Sequence, residues 1–589
     1  MVRINLPGAA WPILSQILVS PGICRGEKQG TRILTCPQKR HPDTRPKQRS
    51  VSGAVLFLLV TVLIGTLTVG NAFVLDAVIG QFRLTWLAGM LCFDIAVIVV
   101  ALILWPGLRP VVRWQWLEIV GMIVVGGAFL AHAIHLAPAD LMPVSSSVDC
   151  SHQHLLVNYI YQHNCFPDGV DYLYLYDDYP VGPSALAAIL AHLVGVLPAQ
   201  TMYPLAALFV TTQVMLAYGT SIELLPRHSP NYILATLATL MIFLAYPYSV
   251  HVFAERFYSN MMMGDLMVLL ALWVMAVRER LHPVLIAGVA IHLIFGCLNS
   301  YPAWLPFVAA PLFISTLLDQ RMSVLKRWAL VSIMLIVTLV LTGITIADQW
   351  DFITWFAPSR ARQLTPDWQS LGGVFLILVG WGIWTLIRTW KQDFGLTLFL
   401  VIDAAGVAAL YGIAIADKLT LYIPDKTFYF NVFLFTVLVA LGLDRAWKKL
   451  TSMRKPKDWV SFAMMIVLAL AVVVGVNFQF SRPTVYPITL DEYRVAYQVA
   501  HETPGAELTY LVRTKTTFYW MYGGILNHTH DLTIQSEQWQ DNVPTYERWI
   551  QDATAPSQAI VSDLAMLPQD GRWRIIIRSG NSGVIENVR

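Results

Sequence analysis

Charged residues are what this sequence has least of. Only 13% of its 589 residues are Asp, Glu, Lys or Arg, against about 25% in soluble domains. Hydrophobic residues make up 56%, and the mean hydropathy is +0.57. The net charge of +3 is too small to indicate a nucleic-acid partner, and we expect none. The composition therefore indicates an integral membrane protein surrounded by a lipid bilayer.

Cysteine is also scarce, and the common nucleotide-binding motifs are missing. The six cysteines are scattered and form no C-x-x-C pair, so neither a zinc ribbon nor a thioredoxin-type site is indicated. The sequence contains no Walker motif and no Rossmann glycine fingerprint. An ATPase or a soluble-type nucleotide-sugar enzyme is therefore not supported.

Long apolar runs are abundant. Runs of about 17 to 25 apolar residues are typical of membrane-spanning helices. A further apolar piece, Ser184–Leu197, is too short to cross comfortably, and we expect it to dip into the membrane or lie along its surface. The predicted spans lie near 52–70, 84–105, 117–135, 202–224, 231–249, 260–277, 283–298, 303–318, 328–347, 372–389, 394–415, 427–444 and 459–478.

Basic residues in the short loops predict the orientation of the chain. Lys and Arg accumulate in cytoplasmic loops, and the strongest basic block is Arg445–Lys457. Smaller basic clusters occur at 278–280, 321–327 and 388–391. Placing all of them inside requires about thirteen crossings. We therefore expect a multi-pass protein of the plasma membrane with its N-terminus in the cytoplasm.

Three regions are expected along the chain. Residues 1–50 are basic and lack apolar periodicity, which predicts a disordered cytoplasmic tail. Residues 51–478 are expected to form the membrane domain, including a long outer loop at 136–201. Residues 479–589 have a soluble composition and predict a small extracytoplasmic α/β domain, with a helix at Asp491–His501 and strands at Leu508–Val512, Ala559–Ser562 and Arg574–Arg578. The expected fold class is mainly α: a polytopic transmembrane helix bundle with that C-terminal domain.

The outer loop 136–201 concentrates residues that could carry chemistry. The loop runs for nearly fifty residues before its apolar end, and loops of that length are usually functional. Asp149, His152 and His154 follow the third predicted span. A Tyr-Pro-x-Gly turn at Tyr179–Gly182 would fix the exit of the loop against the membrane surface.

These two motifs carry a resemblance to a known family. The segment Asp149-Cys-Ser-His152, followed by the turn Tyr179-Pro-Val-Gly182, resembles the multi-spanning glycosyltransferases of the GT-C superfold. More narrowly, it resembles the bacterial and archaeal members that take sugars from polyprenyl-phosphate carriers. The many spans and an extracytoplasmic C-terminal domain also match. Three helices before the loop, rather than one, depart from the simplest version of that fold.

The resemblance implies a reaction. A sugar would pass from a polyprenyl-phosphate donor to a hydroxyl of a lipid, glycan or protein acceptor on the outer side. The family's acidic base corresponds here to Asp149, and burial beside the membrane would raise its pKa toward the working pH. The leaving phosphate needs a cation, for which Lys426 is the first choice. Weaker candidates are Lys418, Arg360 and Arg362.

Further residues are assigned to the same site. His152 and Asp178 are catalytic candidates, with His152 expected to orient the acceptor or the base. Charged groups at membrane depth are costly and often functional, which draws attention to Asp94, Asp265 and Asp403. We expect Asp94 to be buried in the bundle against another polar group, and Asp265, nearer the outer end of its helix, to border the site. The remaining substrate-binding candidates are His154, Asp177, Tyr179, Glu255 and Arg256, and the cavity could also include Asn299 and Tyr301.

Two features of the loop leave alternatives open. Asp149, His152 and His154 could bind a divalent metal such as Mg or Mn, although their spacing matches no recognised metal signature. Cys150 and Cys165 could form a disulfide on an oxidising side, or remain free thiols.

Several other candidates have ordinary structural roles as alternatives. Lys426 could be an interface anchor whose side chain snorkels to water. Glu255 and Arg256 could pair with each other, and Asp177 and Asp178 could simply solvate the turn.

Two other functions remain open. A lipid-linked glycan polymerase or ligase would share substrates and sidedness with a glycosyltransferase. A secondary transporter would favour two related halves and a site at mid-membrane depth. No paired halves are visible in the sequence.

Overall fold

The computed structural model describes most of the chain after residue 49. The thirteenth predicted span, 459–478, and the predicted tail before residue 50 lie outside the described residues. The described residues are 50–145, 148–168, 170, 179–225, 232–242, 259–350, 373–416, 419, 421–452, 486–502, 508–512, 517–518, 520–525, 557–567 and 571–588.

Helices dominate the described part of the chain. Twelve of the fifteen α-helices found there coincide with predicted spans, and eight are long and apolar enough to cross a membrane. The expectation of a polytopic helix bundle is confirmed. The helices are α1 Gly53–Ile79, α2 Leu84–Leu104, α3 Trp116–Leu136, α4 Val148–His163, α5 Gly182–Val194, α6 Ala199–Leu224, α7 Tyr232–Leu240, α8 Ser259–Val277, α9 Pro283–Leu298, α10 Leu305–Leu317, α11 Val324–Asp348, α12 Gly373–Thr389, α13 Phe394–Ile415, α14 Tyr422–Ser452 and α15 Leu490–Glu502.

Burial separates a protein core from a lipid-facing shell. The apolar windows of α8 and α14 are each 94% buried, whereas those of α2 and α11 are 6% and 11% buried. An apolar helix with so little protein contact is compatible with hydrocarbon and not with water. We therefore place α8 and α14 at the centre of the bundle and α2 and α11 at its lipid-facing edge.

A pair of two-residue strands joins the starts of α1 and α3. Strand β1, Val51–Ser52, runs parallel to β2, Val112–Arg113. The Ser52 backbone N–H donates to Glu223 Oε1 at 2.6 Å, and Glu223 at the end of α6 forms an ion pair with Arg280. These contacts collect the basic segments at one end of the bundle. We call it the inner end, after its predicted side, and the opposite end the outer end.

The main correction to the sequence-based picture concerns the outer loop 136–201. The segment expected to be a polar loop contains helix α4, and most of its described side chains are buried. Gln153, His154 and Asn158 are buried together with apolar neighbours such as Leu156. Because polar and apolar side chains are both buried, the helix has no strong amphipathic pattern, and hydropathy did not reveal it.

Helix α5 agrees with the expectation for the short apolar piece. It has 13 residues, too few to cross a membrane, and ends at Gly195 in the left-handed conformation with φ 72°. The predicted spans near 283–298, 303–318 and 372–389 are likewise short apolar helices, α9, α10 and α12.

The C-terminal region contains the expected helix and a small sheet. Strand β3 is parallel to β4, whereas β4 and β5 each pair antiparallel with β6, giving the order β3-β4-β6-β5. Helix α15 and the first three of these strands were predicted, whereas β6 was not. The strands are β3 Thr509–Leu511, β4 Gln558–Val561, β5 Trp573–Ser579 and β6 Ser582–Asn587.

Candidate functional site

Asp149 is the second residue of α4 and begins the candidate site. Its position follows from the helix, while its side chain is outside the described residues. His152 lies one turn later and is half-buried. The other acidic and basic candidates Asp177, Asp178, Glu255, Arg256, Lys418, Arg360 and Arg362 lie outside the described residues.

Helix α4 is held between the membrane helices and the C-terminal region. On one side, Ser259 Oγ, at the start of α8, donates to Gln153 Oε1 at 2.5 Å. On the other, His154 Nε2 lies 3.0 Å from the Tyr493 hydroxyl, and its ring also contacts Trp520 at 5.2 Å between centroids. His154, predicted to bind substrate, is fully buried in this contact.

Two backbone contacts fix the Tyr-Pro-x-Gly turn. Asn260 Nδ2 donates to the Pro180 carbonyl at 2.5 Å, and the Gly182 N–H donates to the Asn299 carbonyl at 2.8 Å. A Cβ at Gly182 would lie 2.5 Å from that carbonyl oxygen, so only glycine allows the approach. Tyr179, at the start of the turn, is half-buried. The turn thus joins the start of α8 to the end of α9.

Lys426 lies at the same end, in the first turn of α14. It is 4% exposed, with Nζ 3.9 Å from the ring centre of Tyr422 and 5.3 Å from that of Tyr301. A snorkelling anchor would hold its ammonium group in water, so the anchor interpretation is wrong. The faces of aromatic rings stabilise a desolvated cation, and Lys426 is held in such a setting.

A buried carboxylate, that of Asp265, lies near the ammonium group of Lys426. Asp265, on α8, is 2% exposed and accepts a hydrogen bond from Trp304 Nε1 at 2.7 Å. It is close enough to Lys426 for an electrostatic interaction. Tyr301 adjoins both residues: it packs against Trp304 at 4.8 Å between centroids and lies under Lys426. Sequence analysis placed Asp265 and Tyr301 near the site but missed Trp304 and Tyr422.

The contacts link these residues into one layer across the outer end. Gln153 on α4 accepts a hydrogen bond from Ser259 at the start of α8. The next residue, Asn260, donates to the Pro180 carbonyl in the Tyr-Pro-x-Gly turn. The turn contacts Asn299, two residues before Tyr301, which lies against Lys426. The layer therefore brings a buried cation, two tyrosine rings and the helix that carries Asp149 to the same end of the bundle. We call it the outer layer.

The other two intramembrane aspartates have different surroundings. Asp94 Oδ2 accepts a hydrogen bond from Asn71 Nδ2 at 2.8 Å, which confirms the expectation of a polar partner and joins α1 to α2. Asp403, on α13, is 6% exposed and lies close enough to Asn431 on α14 for an electrostatic interaction. Both pairs join neighbouring helices within the membrane domain.

The disulfide interpretation is wrong. Neither Cys150 nor Cys165 forms a disulfide. Cys150 is in the first turn of α4 and Cys165 lies just beyond its last residue, so they are separated by about 20 Å along the helix axis. A disulfide requires Cα atoms no more than about 7 Å apart. The Cys165 thiol instead contacts the Tyr159 hydroxyl at 3.9 Å, and burial raises its pKa.

No group of three or more His, Cys, Asp or Glu side chains that could hold a metal ion is found among the residues that the structure describes. His154, one of the weak metal candidates, has a ring nitrogen at hydrogen-bond distance from Tyr493.

Comparison with known proteins gives matches among solved structures. No family model matches the sequence, and no curated protein matches it. Among solved structures, ArnT from Cupriavidus metallidurans is similar, both bound to undecaprenyl phosphate and in the apo state. Sequence identities are 14% and 15% and TM-scores 0.43 and 0.44, each alignment covering 80% of this chain and 98% of ArnT. The functional assignment therefore depends on this chain's own residues.

Proposed function

We propose that this protein is a membrane glycosyltransferase that transfers a sugar from a polyprenyl-phosphate donor to an acceptor hydroxyl. The observation that carries the proposal is the buried cation of the outer layer. Lys426 is 4% exposed, at the end of the bundle that also bears the Tyr-Pro-x-Gly turn and the helix of Asp149. A desolvated ammonium group is an effective partner for a phosphate that gains charge as it leaves.

In the proposed reaction, Asp149 accepts the proton of the acceptor hydroxyl. The hydroxyl oxygen forms a bond to the anomeric carbon of the sugar, and the bond from that carbon to the phosphate oxygen breaks. The lipid phosphate leaves with the electron pair, and Lys426 stabilises its charge. His152, one turn after Asp149, is proposed to orient the base or the acceptor.

The fixed contacts within the outer layer support these roles for Asp149 and Lys426. Helix α4 is fixed at Gln153 and His154, within about one and a half turns of Asp149, which restricts where the carboxylate can lie. The turn at Tyr179–Gly182 connects this helix to the wall that carries Tyr301 and Lys426. Such fixed placement lowers the entropic cost of bringing the acceptor and the donor together.

The proposal is tested with purified protein and a panel of polyprenyl-phosphate sugars, measuring release of lipid phosphate. We expect Asp149→Asn to lower the rate at least about 100-fold, the usual size of a general-base contribution. Lys426→Met should raise the KM for the donor much more than that for the acceptor. Asp168→Asn is the matched control, because Asp168 is an exposed carboxylate of the same outer segment. Full activity of Asp149→Asn would exclude the assigned base.

A further inference from the structure

A cavity of about 400 Å³ lies at the inner end of the bundle, opposite the outer layer. The ends of α6 and α8, the start of α13 and the last turns of the buried part of α14 enclose it. This volume is within the range of small-ligand sites. Since membrane helices begin and end here, the cavity is at the depth of the lipid headgroups.

Part of the charge that lines this cavity is already neutralised within the protein. Glu223 forms an ion pair with Arg280, and Lys448 Nζ contacts Asp444 Oδ2 at 2.6 Å. These pairs fix the cavity wall. The other charged side chains that line the cavity are Arg278, Arg445, Glu279 and Asp393.

Two arginines of the wall have no carboxylate within ion-pair distance among the described residues. Arg278 donates to Ser315 Oγ at 3.0 Å and lies 4.7 Å from the ring centre of Phe394. Arg445 is exposed at the edge of the cavity. Arginine is suited to phosphate because its guanidinium group offers several donors in one plane.

The start of α13 adds backbone donors to the same wall. Its N-cap residue, Asp393, makes no side-chain cap hydrogen bond, because Asp393 Oδ2 accepts from Thr389 Oγ1 at 2.8 Å instead. The first N–H groups of a helix have no partner within the helix and favour an anion. Phe394 and Gly395, at this start, both line the cavity.

A carboxylate oxygen of the wall needs a donor. Asp444 is 2% exposed and lines the cavity, yet its Oδ1 has no hydrogen-bond partner among the described residues. Lys448 contacts only the other oxygen. A buried acceptor without a partner is costly, and a ligand whose donor reaches this carboxylate once its side chain turns toward the cavity would remove that cost.

We propose that this cavity binds a headgroup that carries both a phosphate and a primary ammonium group, as the headgroup of phosphatidylethanolamine does. The phosphate lies against Arg278, Arg445 and the start of α13, and the ammonium group donates to Asp444 Oδ1. A purely anionic headgroup would leave Asp444 without a donor and would face the Asp393 carboxylate, so the paired charges favour the zwitterion.

The test is lipid binding measured by native mass spectrometry on the full-length protein in detergent. The probes are phosphatidylethanolamine, phosphatidylcholine, phosphatidylglycerol and soluble O-phosphoethanolamine. We expect phosphatidylethanolamine to bind most tightly, because phosphatidylcholine has no N–H donor and phosphatidylglycerol no cation. Weaker binding of O-phosphoethanolamine, competitive with the lipid, is expected if the membrane supplies the ligand.

Substitutions test separately the residues that bind the phosphate and the residue that binds the ammonium group. Asp444→Asn should weaken phosphatidylethanolamine binding about tenfold, the usual effect of losing a hydrogen bond to a charged group. Arg445→Gln should weaken it about threefold, because this arginine is exposed and partly screened. Lys448→Gln removes the ion pair but keeps the Asp444 carboxylate, so binding should persist. Lys326→Gln, an exposed inner-end control outside the cavity, should change nothing.

Three outcomes would overturn the proposal. Equal binding of the three lipids would remove the headgroup preference. Tighter binding of phosphatidylglycerol, sensitive to Arg445→Gln but not to Asp444→Asn, would indicate a simple anion site. Tighter binding of O-phosphoethanolamine than of the lipid would place the ligand in solution. Arg445→Gln keeps the test decisive if Asp444→Asn fails to fold, since an exposed side chain is rarely required for folding.

Discussion

Gly182 places a backbone contact where no other residue fits. Its N–H bonds to Asn299, and an added Cβ would lie 2.5 Å from the same carbonyl oxygen. We expect Gly182→Ala to lower the free energy of unfolding by about 1–3 kcal/mol, the usual cost of overpacking, and to lower activity by displacing the turn. Thermal unfolding and turnover measure the two effects. Gly89→Ala is the control, since an added Cβ there meets nothing within 4 Å.

The effect of a second single residue, Asp265, on donor binding depends on its charge. In its ionised form Asp265 partly compensates the charge of Lys426, so Asp265→Asn should then leave a stronger positive field for the donor phosphate and lower the donor KM. Slower release of the lipid phosphate should lower kcat as well. Trp304→Phe removes the hydrogen bond to Asp265 but keeps the charge, so it should not lower the donor KM. An unchanged donor KM in Asp265→Asn would show that the carboxylate does not act through Lys426.

Single residues differ in how far the sequence reveals them. Lys426 could be found because a lysine at the outer start of a span is unusual, and Tyr301 because it ends one. The contact between Lys426 and Tyr301 could not be found, because the two residues are far apart in the chain. The error about Cys150 and Cys165 came from assuming a loop where a helix separates the two thiols.

At the scale of elements, α4 connects the membrane helices to the C-terminal region in part through the contact between His154 and Tyr493. Burial raises the pKa of Tyr493, so its hydroxyl stays neutral and pairs with His154. Tyr493→Phe should lower the free energy of unfolding by about 1 kcal/mol. Because the folded-state pKa is raised, the wild-type contribution is complete below the ordinary tyrosine pKa and is lost as pH rises through the folded value. Tyr493→Phe should therefore be less sensitive to alkaline pH.

The energetic coupling between the side chains of His154 and Tyr493 is measured with a double-mutant cycle that combines His154→Ala and Tyr493→Phe. Residues in contact show non-additive effects, whereas independent sites add. Additive losses would mean that the two side chains do not depend on each other.

Elements were predictable where hydropathy changes sharply along the chain. The long spans and the short apolar helix α5 follow from the length of the apolar runs alone. Helix α4 was missed because its burial depends on partners contributed by α8 and α15. Strand β6, Ser582–Asn587, was missed because its β pairing is with β4 and β5 and its own sequence contains Gly583.

At the scale of the whole molecule, contacts fix which segments share an end of the bundle. Asp444 lies in the inner-end cavity, whereas the Tyr486 hydroxyl donates to the Leu136 carbonyl at the outer end of α3 at 3.3 Å. Asp140 Oδ2 likewise accepts from the Leu490 N–H at 3.2 Å. The residues that flank the predicted last span, 459–478, therefore lie at opposite ends, as the prediction of thirteen crossings requires.

Labelling of single cysteines tests which end faces the cytoplasm. In a variant without native cysteines, Ser557→Cys marks the C-terminal sheet and Lys391→Cys the inner end, both at exposed positions. Because basic residues gather at the inner end, we expect an impermeant maleimide to label Ser557→Cys in intact cells and Lys391→Cys only after permeabilisation. The reverse pattern would invert the orientation and move the outer layer to the cytoplasm. Labelling of both from one side would contradict the opposite placement of the two ends.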